Sequence, residues 1–399
     1  MSAATGRGRS GTWDTFPTLE DASVRRDRND GRIIDFFLFA TLPMAQFQAR
    51  GLPAAELAVG LAVCLALLRR PRVRSTPWLT CTLLALLGLM FLSAQLNEGI
   101  DAGRRLLHLG LYVALALTAA QGRFHTRSMA KGFAAGLLVS AAAYFVGYGD
   151  TYEGRLAGLM ADPNAAGYML TTLGCLALAG LPGSRFRVPL GLLLLVAVVL
   201  TFSRTSLLAV ALIVVWVIIG RLLAVSLGAL LLTAMIWAVT NIPVSLQTLG
   251  PFSDRTGSDA LRRRIVRLEE LQISEAPWYG HGPGTSWVDV QGDLFFFHNS
   301  YLAILNEGGR LAQVLIVLAG ALALVSLLRL RPELRNPWYE AALIAVAVCA
   351  ANLGEVFLEL PAALALGMAA YYARSIREAP PDVGATPSTL DSLESVRLR

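Results

Sequence analysis

Apolar runs recur from Ile33 to Arg374, each broken by a few polar or basic residues. A membrane-crossing helix needs about 20 mainly apolar residues. On that measure twelve runs stand out, at 33–48, 52–68, 77–95, 104–121, 130–148, 163–181, 187–201, 204–220, 222–243, 299–328, 338–358 and 360–374. One polar interval, Val244 to His298, is far longer than the rest. Within it Leu261, Ile265, Leu268 and Leu271 fall on one helical face, which predicts an amphipathic helix lying on the bilayer or against the bundle. The pattern predicts an all-α polytopic membrane protein of about 12 transmembrane helices, with one long external loop carrying that amphipathic helix.

The same pattern divides the chain. Residues 1–32 and 375–399 read as disordered cytoplasmic tails, 33–243 as the first nine spans, 244–298 as the external loop and 299–374 as the last three spans. No apolar run follows the basic residues of the first 32 positions, so the segment from Ile33 reads as the first anchor and not as the sequel to a cleaved signal.

Composition excludes a soluble domain, since 55% of the 399 residues are hydrophobic, 16% are charged and the mean hydropathy is +0.56. The net charge of +6 raises the question of nucleic acid, but the basic residues are spread over short loops and tails and form no single patch. Topology accounts for them better. With the N-terminus inside, 23 of the 34 basic residues fall on the cytoplasmic side, as the positive-inside rule requires. The eleven on the outside are Arg50, Arg104, Arg105, Arg155, Arg204, Arg255, Arg262, Arg263, Arg264, Arg267 and Arg310. A basic outer face suits an anionic partner. The four cysteines all lie in apolar segments and read as buried thiols, with neither a disulfide framework nor a zinc site.

Several outer stretches carry candidate chemistry. In "GDTYEGRLAGLMADPN", Asp162 before Pro163 has the form of a helix N-cap, and Asp162 and Asn164 serve equally well as ligand contacts, while Arg155 has no capping role. In "TFSRTS", Ser203 can cap a helix whose first residue is Arg204. Arg204 reads equally as a cation reaching to the lipid headgroups or as part of a phosphate cradle, since a cation there opposes the helix dipole unless an anion is held nearby and a guanidinium beside free N–H groups can hold one. Gly280, Gly282 and Gly284 around His281 and Pro283 form a turn-rich loop whose backbone can approach a neighbour closely. In "DLFFFHNSYLAILNEGG", Asn299 or Ser300 can cap the tenth span, and "GG" interrupts it after Glu307. His298 reads either as an interfacial histidine beside the aromatic Phe295, Phe296 and Phe297 or as a base of neutral pKa facing a hydroxyl.

Taken in order, "EGRLAGLMADPNAAG", "FSRTSLLAV", an arginine-bearing helix leading to "APWYGHGPG", and "HNSYLAILNEGG" resemble the O-antigen ligase and O-antigen polymerase family of bacterial membrane glycosyltransferases. The resemblance implies an inner-membrane enzyme that moves a glycan from undecaprenyl diphosphate to an acceptor hydroxyl on the periplasmic face. The acceptor is lipid A core for a ligase and another repeat unit for a polymerase. Carried onto this chain, Arg204 and an arginine of the outer helix bind the diphosphate and His298 is the base. Arg155, Asp162, Asn164, Ser203 and Asn299 complete the candidate substrate contacts. The family commonly places its helix arginine a few residues before an Ile-Trp pair; here Ile265 precedes Val266, and Arg262 is the first choice with Arg263 next.

No outer pair of carboxylates has the spacing of a metal motif, and Glu98 with Asp101 is a poor substitute, so the expected transfer uses neither metal nor cofactor. A secondary transporter or flippase is the alternative class. Transporters place ionisable groups near the midplane, whereas Asp35, Glu56, Glu355 and Glu359 fall near expected helix ends, with His108 the exception.

Overall fold

The computed structural model describes residues 32–45, 48–49, 52–97, 102–148, 154–160, 162–223, 225–240 and 256–378. The expected tails, the loop from Val244 to Arg255, and Arg50, Glu98 and Asp101 therefore lie outside the described residues, apart from Arg32 and residues 375–378. Among the described residues thirteen α-helices follow in order: α1 Ile33–Thr41, α2 Ala54–Leu67, α3 Pro77–Leu96, α4 Gly103–Ala120, α5 Thr126–Tyr144, α6 Pro163–Ala179, α7 Arg187–Leu200, α8 Arg204–Ile219, α9 Val225–Thr240, α10 Thr256–Ser274, α11 Ser300–Leu328, α12 Pro337–Ala350 and α13 Leu360–Arg377. Two small antiparallel hairpins join them, β1 (Gln48–Ala49) with β2 (Leu52–Pro53) and β3 (Trp287–Val290) with β4 (Asp293–Phe296).

Two helices, Pro77–Leu96 and Ser300–Leu328, are long and apolar enough to cross a membrane by length and composition. The outer faces of the bundle speak for the same surroundings. Leu192, Leu193 and Val196 on α7, Val214 and Ile218 on α8, and Leu311 and Val314 on α11 are exposed, an apolar surface that lipid solvates and water does not. Inside, α12 and α13 are alanine-rich and almost wholly buried, so neighbours approach closely. A Cβ on Gly136 of α5 would come within 2.1 Å of Ala40 O on α1, and one on Gly367 of α13 within 2.5 Å of Ala116 O on α4. Lipid tails are as apolar as leucine, so packing of this kind holds such helices together.

Three expectations change. The first run, 33–48, is helical only to Thr41, because Pro43 cannot continue the helix and the chain turns into β1. The run 338–358 is helical to Ala350, after which residues 351–359 form a connection with a single 3₁₀ turn at Val356–Leu358. Cys175 and Cys349 are buried free thiols, but Cys64 and Cys81 are exposed on the outer faces of α2 and α3.

The amphipathic helix forms where expected, as α10, with an unexpected partner. Ile265 is buried with Val288, Val290, Phe297 and Ala303, and Leu268 and Ile273 close over them, so the stripe packs on β3–β4 and the start of α11. Leu261 and Leu271 remain 37% and 54% exposed at its two ends.

The helix ends separate into two polar levels. At one, Asp35 at the start of α1 pairs with Arg69 after α2 at 2.6 Å, and Arg123 of the α4–α5 turn donates to Arg69 O at 2.7 Å. A buried pair lies in the same half: Arg335 donates twice to Glu340 at 2.8 Å, and the indole of Trp216 donates to the same carboxylate at 2.7 Å. The N-termini of α6, α8 and α11 gather at the opposite level.

Candidate active site at the helix N-termini

Each of those three N-termini is capped by a side chain. Asp162 accepts from Asn164 N at 2.7 Å and Ala165 N at 3.3 Å at the start of α6. Ser203 accepts from Ser206 N at 3.5 Å at the start of α8. Asn299 accepts from Tyr301 N at 2.9 Å and Leu302 N at 3.3 Å at the start of α11. The caps satisfy some of the free amides of each first turn and leave the positive ends of the helix dipoles directed at this level.

The starts of α6 and α8 are in contact. A Cβ on Gly167 would fall 2.3 Å from Ser206 Oγ and 3.2 Å from Ser203 Cβ. Arg155 ties the two ends, its Nε donating to Thr201 O at 3.0 Å and its guanidinium to Asn164 Oδ1 at 3.3 Å. The turn between α7 and α8 is tight, with Phe202 at φ 47°, a left-handed conformation costly for a phenylalanine. It delivers Arg204, half-buried, at the first position of α8, three residues after the Thr201 carbonyl that Arg155 holds.

His298 is held from two directions. Its backbone N–H donates to Oε1 of Glu269 on α10 at 2.6 Å, and Glu269 is fully buried. Its ring Nδ1 lies 3.0 Å from Phe296 O, which can only accept, so in the neutral ring Nδ1 carries the hydrogen and Nε2 the lone pair. Phe296 ends the β3–β4 hairpin, whose two-residue turn has Gln291 at φ 62° and Gly292 at φ 94°, the left-handed pair that matches strand twist.

The residues after His298 dock on the α12–α13 connection. Ser300 Oγ donates to Leu353 O at 2.6 Å and accepts from Val356 N at 2.7 Å, and Gly354 lies so close to Phe297 O that a Cβ would meet it at 1.7 Å. Between these parts a cleft of about 200 Å³ opens, lined by Asp162, Asn164 and Tyr168 of α6 and its cap, by Phe296, Phe297 and His298, and by Asn352, Glu355 and Glu359 of the connection.

A second polar knot braces this level. Gly309 interrupts α11 at φ 76° and ψ −178°, and the loop 278–284 fills the break. His281 N donates to Asn306 O at 2.6 Å, Gly282 N to Glu307 O at 3.2 Å, and the His281 ring meets Asn306 Oδ1 at 2.9 Å. The glycine-rich loop is therefore a plug for the kink, and His281 is part of it. Arg105 of α4 lies 3.5 Å from the buried Glu307 carboxylate and 3.0 Å from that of Glu355, so one guanidinium links α4, the kink and the α12–α13 connection.

Of the sequence candidates, His298, Asp162 and Asn164 share the cleft, and Arg155, Ser203 and Arg204 form its adjoining edge. Asn299 serves as a cap and does not line the cleft. Arg263, like Arg264 and Arg267, is exposed on α10, and the side chain of Arg262 lies outside the described part of that helix. Sequence reasoning missed Glu269, Arg105 and the pair Glu355 and Glu359. The hairpin carried a readable signal, "VDVQGDLFF", with alternating apolar residues around a Gln-Gly turn. For Glu269 none existed, since an acid on a charged helix looks solvated. Of the groups weighed for a transporter, all but Glu359 are held in pairs: Asp35 with Arg69, Glu355 with Arg105, and His108 with Glu56 at 3.3 Å.

The bundle and the site define a helical membrane protein with a polar working face at one end, where arginines and helix N-termini adjoin a histidine-bearing cleft. Residues 189–317, about a third of the chain, match the family described as O-antigen ligase, and the match supports the resemblance read from the motifs. The matched stretch contains Ser203, Arg204, α10 and His298, and ends within α11. No curated protein and no solved structure matches the chain. The match supports a membrane-associated protein of the glycosyl-transferring kind in general.

Proposed function

We propose that the protein is a metal-independent glycosyltransferase of the bacterial inner membrane, with about twelve spans and both termini cytoplasmic, which transfers a glycan from undecaprenyl diphosphate to an acceptor hydroxyl on the periplasmic face. The single observation that carries this reading is the neighbourhood of unlike groups. His298, with Nε2 as its lone-pair nitrogen, lines the same cleft as Asn164, and Asn164 is held by Arg155 at the edge where Arg204 begins α8. In the reaction the acceptor O–H gives its proton to His298 Nε2 while its oxygen bonds to the anomeric carbon. The bond from that carbon to the diphosphate oxygen breaks, and the diphosphate leaves with the electron pair. Attack from the face opposite the leaving group inverts the anomeric centre. Arg155 and Arg204, with an arginine of α10, stabilise the departing anion, a task guanidinium groups perform through paired N–H donors. Position 262 stands seven residues before Glu269, two turns along the same face of α10, which favours Arg262 over the exposed Arg263.

The test is reconstitution. Purified protein is incubated with an undecaprenyl-diphosphate oligosaccharide, with and without lipid A core. A ladder of lengthened donor marks a polymerase, and a single capped product that needs the core marks a ligase. Release of no diphosphate-linked lipid under either condition refutes the transferase reading.

A further inference from the structure

The cleft beside His298 differs in charge from the arginine edge it adjoins. Its carboxylate and imidazole wall residues are Asp162, Glu355, Glu359 and His298, and among the described residues no arginine or lysine lines it. The basic groups that face these residues stand outside: Arg155 reaches Asn164 at 3.3 Å from the α8 side, and Arg105 approaches Glu355 at 3.0 Å from α4. Arg105 thus offsets one carboxylate while also facing Glu307, and Asp162 is engaged in capping α6. Glu359, in the connection ahead of α13, is different. Among the described residues no hydrogen bond or ion pair reaches its carboxyl, which faces the cleft. The remaining wall is rings and amides, Tyr168, Phe296, Phe297, Asn164 and Asn352.

Resting on the transfer reading above, we propose that this cleft is the acceptor subsite, and that it takes a sugar ring without negative charge and rejects acceptors carrying a phosphate or carboxylate beside the reacting hydroxyl. Carboxyl and amide groups pair with sugar hydroxyls as donors and acceptors, and aromatic rings cover the apolar faces of the sugar. A diphosphate here would meet Asp162 and Glu355, so it belongs at the Arg155–Arg204 edge. The acceptor hydroxyl enters from the other side, against His298. Glu359 reports the polarity of the space directly: desolvation first, then the charge of Glu355, push its carboxyl up to about 8, against the opposing pull of Arg105 and with a further push from Asp162. A space that resists ionising its own carboxyl resists a second anion for the same reason.

Two matched trisaccharides serve as probes, identical except that the terminal ring is glucose in one and glucuronic acid in the other. Binding to the full chain in nanodiscs is followed by saturation-transfer NMR, and both probes are also offered as acceptors with the lipid-linked donor. We expect a preference for the neutral probe on the order of tenfold or more at pH 7.5. Glu355→Gln leaves Arg105 less offset and shrinks that preference severalfold. If that variant does not fold, Glu359→Gln is compared with wild type at pH 9, where only wild type gains the extra discrimination of an ionised Glu359. Equal or tighter binding of the glucuronate probe by wild type, binding of neither probe, or a folded variant with unchanged preference overturns the proposal. Equal transfer to both probes overturns the subsite polarity and leaves the transferase reading standing; charge-selective binding with no transfer does the reverse.

Discussion

The kink of α11 holds the working face together, and Gly309→Ala tests that directly. At φ 76° and ψ −178° the backbone of Gly309 lies where an alanine is strained by about 1–3 kcal/mol. The added Cβ would stand 1.9 Å from Trp278 O and 2.7 Å from its carbonyl carbon, both backbone atoms that can give way only by moving the loop. Moving it loosens the 2.6 Å and 3.2 Å bonds to Asn306 O and Glu307 O and the 2.9 Å contact of the His281 ring. Each is worth about 0.5–1.5 kcal/mol. Strain and lost bonds together come to about 2.5–7.5 kcal/mol, enough to lower the apparent Tm in detergent by several degrees. Gly320→Ala in the same helix is the control. It meets nothing within 4 Å, and alanine is the better helix former by about 1 kcal/mol, so its Tm stays level or rises. If both variants melt within a degree of wild type, the loop does not brace the kink and the argument fails.

The remaining predictions concern chemistry. His298→Ala lowers turnover by about 10²–10⁴-fold while the melting temperature holds, because its backbone bond to Glu269 does not need the ring; near-normal transfer by the folded variant would return His298 to the aromatic belt. Arg204→Lys keeps the charge but loses the paired N–H fork, so donor turnover falls more than stability, as steady-state kinetics at varied donor will show. Turnover is the same in excess chelator and in added magnesium; loss in one and recovery in the other refutes metal independence. Because Glu359 binds its proton up to about pH 8 when folded and only to about 4.5 when unfolded, it stabilises the fold at low pH and loses that contribution as pH rises between those values. Glu359→Gln removes that slope, so the stability of the variant relative to wild type rises from pH 4.5 to pH 8 and is level above. Parallel melting curves across that range would show that burial does not hold the proton.

What could be read from the chain follows the range of the interactions involved. The cap of α6 at Asp162, the cap of α8 at Ser203 and the interruption at Gly308–Gly309 are local, written within a few residues, and each is found in the structure. The apolar stripe of α10 was equally plain, but its partner was not, since Ile265 packs on a hairpin more than twenty residues later in the chain. Val356, Phe357 and Leu358 read as the end of a span because they are apolar; in the fold they form a turn held by Ser300 and by Tyr168, whose hydroxyl donates to Val356 O at 3.2 Å. That displacement brings Glu355 and Glu359 into the cleft, beyond the reach of any periodicity. Arg105 and Glu355 are 250 positions apart, and nothing near either announces the other. The residues legible from sequence are those that start helices, and helix starts supply the arginine edge and His298. The carboxylates that give the cleft its polarity arrive through tertiary contact alone. The half proposed to bind the anion is therefore local in the chain, whereas the half proposed to choose the acceptor is assembled across it. Substitutions in the α12–α13 connection should accordingly change acceptor preference while the Arg155–Arg204 edge stays as it is.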